Sequence, residues 1–358
     1  MLVQELDTPS LIVDLDVMEA NLRRVADYAK QHSLRLRPHT KTHKSIGLAR
    51  RQIALGAAGL TVAKVTEAEV MAAANPADLL VAYPVFGAPK LRRLTEVARR
   101  TKVAVALDSL ASATPLSEAA VIASVDIGVM VEVDVGLGRV GVQPAEALAL
   151  AQTIAALPNL HFRGLTFYPG HIKQPTEALV KALSDTVEKL VQDFHDAGLP
   201  PEIVSGGSTP ALFHSHKVKG LTEIRPGTYI FNDLNTVHSG ACTLEDCAAS
   251  ILTTVVSTRP GHMIIDGGSK TFSSDRLTTG AAGHGRLLEA PGAFFHKMNE
   301  EHGFVDLSKA ERSFEVGEKV RVIPNHVCVA VNLHEQVYGV RGGRVEEAWK
   351  VDARGKLQ

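Results

Sequence analysis

The chain has 358 residues, 45% of them hydrophobic, with 38 basic and 39 acidic side chains and a formal net charge of −1. That is enough apolar material for a large core and for more than one domain. Because no basic stripe interleaves with aromatics, nucleic acid and anionic membranes are not expected as partners. No run approaches the roughly 20 apolar residues of a membrane span. The first seven residues hold neither a basic stretch nor a long apolar one, so no signal peptide is expected. Cys242, Cys247 and Cys328 are an odd set without a CxxC pair, which fits reduced thiols and a cytoplasmic location.

In chain order, eight short apolar runs between residues 34 and 225 read as buried parallel strands: 34–38, 59–63, 78–82, 102–108, 126–134, 160–168, 202–205 and 221–224. The gaps between them are mostly alanine-rich with helical spacing, as at 65–74, where Thr66 and Glu69 have the spacing of a capping box. Strands alternating with helices argue for βα units, and eight of them for an α/β fold of the (β/α)8 TIM-type barrel; an open doubly wound sheet is the alternative. After about Gly240 the texture changes to β-rich runs at 251–258, 263–266, 319–323, 327–331 and 336–340. Pro260-Gly261, Gly267-Gly268 and Gly342-Gly343 punctuate them as turns. The expected organisation is a barrel over 17–235 and a second, mostly β domain over 236–358.

Arg37-Pro38-His39-Thr40-Lys41-Thr42-His43-Lys44 stands where the first strand should end. Two lysines, two histidines and an arginine crowd into eight residues, and Pro38 forbids a helix through the first half. A lysine meant for a Schiff base needs such rigidity, since cationic or desolvating neighbours must lower its pKa. A basic loop binding some other anion is the plainer alternative. The Arg-Pro-His-x-Lys-Thr-His-Lys run resembles the cofactor-lysine segment of the family of D-threonine aldolase and eukaryotic-type D-serine dehydratase. That resemblance implies an alanine racemase-like fold, pyridoxal 5'-phosphate (PLP) held by Lys41 with His39 beside it, and a β domain that takes its first strand from residues 1–16. It also implies a homodimer.

Ser205-Gly206-Gly207-Ser208-Thr209 follows the seventh strand, and Arg225-Pro226-Gly227-Thr228-Tyr229 the eighth. Phosphate sites in such barrels lie after these two strands, and glycines, hydroxyls and helix-start N–H groups are what a phosphate needs. Gly227, Thr228 and Tyr229 join the first loop as candidate contacts. Arg139, in the glycine-rich run after the fifth strand, has in the resemblance the role of approaching the cofactor's phenolic oxygen; a solvated arginine is the alternative. Tyr168 ends the sixth strand as a candidate ring contact, and His171 as a residue facing substrate.

The second sharp feature is Asn325-His326-Val327-Cys328. On a strand, residues two apart share a side, so His326 and Cys328 can converge on one ion. Imidazole and thiolate form a soft pair suited to Zn²⁺, and two protein ligands leave coordination positions open. The resembling family carries a metal pair here; His-x-Asp in some aldolases favours Mn²⁺ or Mg²⁺, while the dehydratase branch has cysteine. The chemistry implied is a PLP- and metal-dependent lyase reaction on a β-hydroxy-D-amino acid. Retro-aldol cleavage of D-threonine to glycine and an aldehyde comes first, and dehydration of D-serine or 3-hydroxyaspartate second. A racemase and a non-catalytic PLP-binding protein are the remaining alternatives.

Overall fold

The computed structural model describes residues 1–358, which divide into two compact units. One comprises 24–41, 46–227 and 355–358, and the other 1–23, 42–45 and 228–354. No helix is long and apolar enough to cross a membrane. Cys242, Cys247 and Cys328 are free thiols.

The chain enters through β1 (Ser10–Asp14), which belongs to the second unit. The first unit is then an eight-stranded parallel sheet of β2 (Arg35–Leu36), β3 (Leu60–Val62), β4 (Asp78–Val81), β5 (Lys102–Leu107), β6 (Ile127–Glu132), β7 (Leu160–Thr166), β8 (Ile203–Gly206) and β9 (Glu223–Ile224). Its order, β2-β9-β8-β7-β6-β5-β4-β3, runs round a barrel. A parallel bridge between His39 and Thr61 and the bond from Thr61 N–H to Pro38 O (2.9 Å) close it. All eight expected strands are present. They were legible because a parallel strand covered on both faces is a continuous apolar run, and every residue of β6 is buried.

Helices connect the strands and bury one stripe each. Glu177–Asp196 covers the sheet with Val180, Leu183, Val187, Leu190 and Phe194, at the three- and four-residue spacing of one helix face. Thr176 caps it by accepting the Leu179 N–H (3.4 Å). The capping box expected at Thr66 does not form. The helix there spans Val65–Met71 and begins before Thr66, whose hydroxyl donates instead to the Gln358 carbonyl (2.7 Å). Glu67 takes over at the helix start by accepting the Ala63 N–H (2.7 Å).

The second unit is built on β10 (Ala249–Arg259), β11 (His262–Ile265), β12 (Gly285–Leu287), β13 (Phe294–Met298), β14 (Gly303–Asp306), β15 (Lys319–Pro324), β16 (Gln336–Arg341) and β17 (Arg344–Lys350). β1 lies inside this sheet, antiparallel to β10 and parallel to β16. Two expectations are corrected here. Residues 327–331 are not a strand: Val327–Leu333 is a helix, with His326 as its N-cap. The unit also includes 17–23, 42–45 and 228–235, which the sequence reading placed with the barrel, while 355–358 lie in the barrel unit. Side chains explain the second difference, since Lys44 Nζ donates to Asn332 Oδ1 (2.9 Å) and Asp233 accepts the Val327 N–H (3.0 Å).

Gly164 sits at an irregularity in the β6–β7 register with φ +143°, and a Cβ there would run into the Ile203 carbonyl. Gly164→Ala is expected to cost at least about 2 kcal/mol of unfolding free energy, from strain and overpacking together. Urea denaturation measures it; an unchanged midpoint would mean that the β7–β8 backbone relaxes freely.

Candidate active site

At the barrel end reached by the strand C-termini, each loop is fixed by the strand before it. After β2, His39 N–H donates to Pro226 O (3.0 Å) and Thr40 Oγ1 to Thr61 O (3.1 Å). Lys41 follows in the turn Thr40–Thr42, exposed, with its N–H directed at His39 Nδ1 (3.4 Å). The lysine backbone is thus held from two neighbouring strand ends while its amine is open to solvent.

After β6, the Asp134 carboxylate accepts three successive N–H groups, from Gly136 (3.0 Å), Leu137 (2.9 Å) and Gly138 (3.1 Å). The Gly138 bond leads in holding Asp134 below the usual carboxylate range. Gly136, with φ +115°, lets the His171 ring lie against the loop; a Cβ there would stand 3.4 Å from that ring. The loop so shaped carries Arg139, whose guanidinium lies 4.9 Å over the Tyr168 ring. The structure therefore brings Arg139, Tyr168 and His171 to neighbouring loops.

The loop after β8 has the features of an anion cradle. Gly207 has φ +93°, which permits the tight turn, and a Cβ on Gly206 would strike the Phe167 ring. Ser205, Gly206, Gly207, Ser208 and Thr209 are all buried. The N–H groups of Gly207, Ser208, Thr209 and Gly227 donate to no acceptor within the protein. Three of these residues are buried and Gly227 is half-buried, and donors left in this state fit a phosphate group. Thr228 and Tyr229 belong to the β unit: Tyr229 is buried, and the Thr228 hydroxyl stands 3.7 Å from Cys328 Sγ.

Two buried charges beneath the barrel mouth have no role in the sequence reading. Arg225 donates to Thr166 Oγ1, to Ser205 O (2.9 Å) and to Phe167 O (2.9 Å), tying the ends of β7, β8 and β9 together. Burial pulls its pKa down, with Glu132 opposing; burial likewise pushes the Glu132 carboxyl up, with Arg225 and Arg139 opposing. A charged residue placed directly after an apolar strand, as in Ile224-Arg225, is the signal that could have found the first.

In the β unit, His326 and Cys328 meet at a helix start rather than along a strand. Asp233 is fully buried and caps two helices, accepting Val327 N–H with Oδ2 (3.0 Å) and Thr236 N–H with Oδ1 (2.9 Å). This fixes the turn from which the imidazole and the thiol converge. Burial opposes ionisation of Cys328, but its hydrogen bond with His326, the charge of that ring and the Thr42 hydroxyl (3.3 Å) hold the thiol below its ordinary pKa. Burial also works against the His326 cation, yet Cys328 pushes that imidazole up to about 10. Each group thus favours the charged form of the other, and once both are deprotonated they are the donors of a soft cation site. No group of three or more metal-binding side chains occurs in the structure, so a cation here would have two protein ligands and open positions.

Residues 13–235 match the family model for the N-terminal domain of alanine racemase, and 248–340 that for a serine dehydratase domain. D-threonine aldolase of Arthrobacter sp is 34% identical over 98% of this chain and 93% of its own length. D-threo-3-hydroxyaspartate dehydratase of Delftia sp. is 32% identical over 90% of this chain and 91% of its own. The crystal structure of D-threonine aldolase from Filomicrobium marinum superposes with a TM-score of 0.93 at 34% identity, covering 99% of this chain and 98% of that one. Solved structures of D-threo-3-hydroxyaspartate dehydratase include a cysteine-to-alanine mutant in the metal-free form and a histidine-to-alanine mutant; the two substituted positions are two residues apart.

The lowered thiol has a direct consequence. In metal-free protein, alkylation of Cys328 should remain fast as pH falls below the ordinary cysteine pKa of about 8.5. His326→Ala removes the counter-charge, so the thiol pKa should rise and alkylation at neutral pH should slow by about tenfold or more. Iodoacetamide labelling read by peptide mass spectrometry follows both, and equal rates in the two proteins would contradict the ion pair.

Proposed function

Because the chain belongs to the alanine racemase-fold family that includes D-threonine aldolase and D-threo-3-hydroxyaspartate dehydratase, we propose that it is a PLP- and divalent-metal-dependent lyase of β-hydroxy-D-amino acids. Its first reaction in this reading is retro-aldol cleavage of D-threonine to glycine and acetaldehyde. The observation that carries it is similarity to D-threonine aldolase over almost the whole length of both chains, at 34% identity.

When bound, the cofactor supplies an electron sink for bonds at the substrate α-carbon and the metal a Lewis acid for the β-oxygen. Lys41 would hold the cofactor, and the N–H groups of Gly207, Ser208, Thr209 and Gly227 its phosphate. Arg139, stacked on Tyr168, would supply positive charge to the cofactor's phenolic oxygen. His326 and Cys328 would hold the metal, Zn²⁺ being favoured by their softness over Mn²⁺ or Mg²⁺. A second copy of the chain is the expected partner.

One observation favours a dehydratase as the second reading: the donor is cysteine, and a cysteine mutant of D-threo-3-hydroxyaspartate dehydratase is in the metal-free form. In that reaction the Lys41 amine takes the proton from the α-carbon, and the β-hydroxyl leaves.

Product analysis decides between the two. Protein supplied with PLP and, separately, with Zn²⁺ or Mn²⁺ is expected to release glycine and acetaldehyde from D-threonine. Ammonia with 2-oxobutanoate, or with pyruvate from D-serine, would move it to the dehydratase side. Lys41→Ala should abolish both turnover and the visible absorbance of retained cofactor. Persistence of that absorbance through gel filtration would sink the lysine assignment.

A further inference from the structure

A site with only two protein ligands depends strongly on how each is aimed, and the surroundings of His326 show what aims the imidazole. Its Nδ1 lies 2.8 Å from Asp275 Oδ2. We propose that Asp275 is a positioning residue for the metal pair, the carboxylate that fixes the tautomer and ring orientation of His326. The proposal rests on the reading that His326 and Cys328 hold a divalent cation.

A carboxylate bears no proton at neutral pH and can only accept, so it selects the tautomer that carries its proton on Nδ1. That leaves the Nε2 lone pair for the cation and makes the ring a stronger donor. The carboxylate is itself held for this task. Asn325, 2% exposed, donates through Nδ2 both to Asp275 O (3.0 Å) and to Gly283 O (2.9 Å). It thereby clasps the 275–283 loop to the residue just before His326. On the other side of Asp275, its N–H donates to Ser273 Oγ (3.2 Å), and Ser273 is held at φ +68°, a conformation that a serine adopts only under constraint. No Lys or Arg pairs with Asp275; His326 is its ionic partner.

A purely structural reading of the contact is weak on energetic grounds. The two side chains are 38% and 42% exposed, and ion pairs this open add little to stability. The orientation of a ligand, by contrast, is worth about 10–100-fold in metal affinity.

The test uses full-length, PLP-loaded protein stripped of metal with a chelator and titrated with Co²⁺ and with Zn²⁺ against a chromophoric competitor. The Co²⁺–thiolate absorption band gives a readout independent of turnover. Asp275→Ala is expected to weaken both cations by about 10–100-fold with little change in the thermal midpoint. Asp275→Asn, which keeps an acceptor oxygen but loses the charge, should fall between it and the parent. Should Asp275→Ala fail to fold, Asp275→Ser, too short to reach the ring, replaces it. Parental affinity in the Ala or Ser variant, while His326→Ala and Cys328→Ala lose binding, would overturn the role of Asp275 alone. Parental affinity in His326→Ala and Cys328→Ala as well would overturn the metal pair, and the proposal with it.

Discussion

A buried guanidinium holds the barrel at its weakest seam. β2 is two residues long and pairs with β9 at only two positions; beyond it the sheet is joined by the His39–Thr61 bridge. Arg37, 3% exposed, reinforces this sparse backbone pairing by donating to Glu223 on β9 (2.8 Å) and to Asp78 on β4. Glu223 also accepts from Ser205 on β8 (2.7 Å), so four strands share one charge network. Burial works against the Arg37 cation, and the two carboxylates more than offset it, raising its pKa. Taking one partner from such a buried pair costs about 3–5 kcal/mol, because the other charge is left stranded. Gly59 serves the same network, since a Cβ there would occupy the space of the guanidinium and the Asp78 carboxylate. Lys41, the turn at Gly207–Thr209 and Gly227 each stand a fixed few residues beyond β2, β8 and β9. Their placement follows from the register that this network sets.

In the β unit, Asp233 has the corresponding position. It is completely enclosed, and burial pushes its carboxyl up despite the N–H groups that it accepts. A buried carboxylate capping two helix starts is costly unless both caps are made, and here both are. The Asn235 N–H donates to Asn325 O (3.2 Å), so the segment that carries the two metal candidates is gripped immediately before His326 and immediately after it.

The parts that were legible in the sequence are those whose cause is local. Parallel strands buried on both faces advertise themselves as apolar runs, and glycines at strand ends mark loops that approach a ligand. The segment 327–331 misled because Val-Cys-Val-Ala-Val has the composition of a strand. It is a helix because Asp233, far away in sequence, supplies the acceptor for its first free N–H, a tertiary contact that overrides propensity. The convergence of His326 and Cys328 nevertheless follows from their spacing, through a cap and first turn instead of a strand face. Arg225 is marked only by its place directly after an apolar strand, and Glu132 and Asp275 were not legible. The latter two are isolated charged residues whose partners come from other elements, and nothing in a single sequence distinguishes such a residue from a solvated one.

The sulfur at position 328 and its surroundings are matched to one another. Three polar groups face it: the His326 ring, the Thr42 hydroxyl at 3.3 Å and the Thr228 hydroxyl at 3.7 Å. With the sulfur ionised, both hydroxyls are donors, and their distances suit a sulfur acceptor. A substitution at Cys328 therefore changes more than the affinity of one ligand. It removes the sulfur that the Thr42 and Thr228 hydroxyls face, so both lose that partner at once.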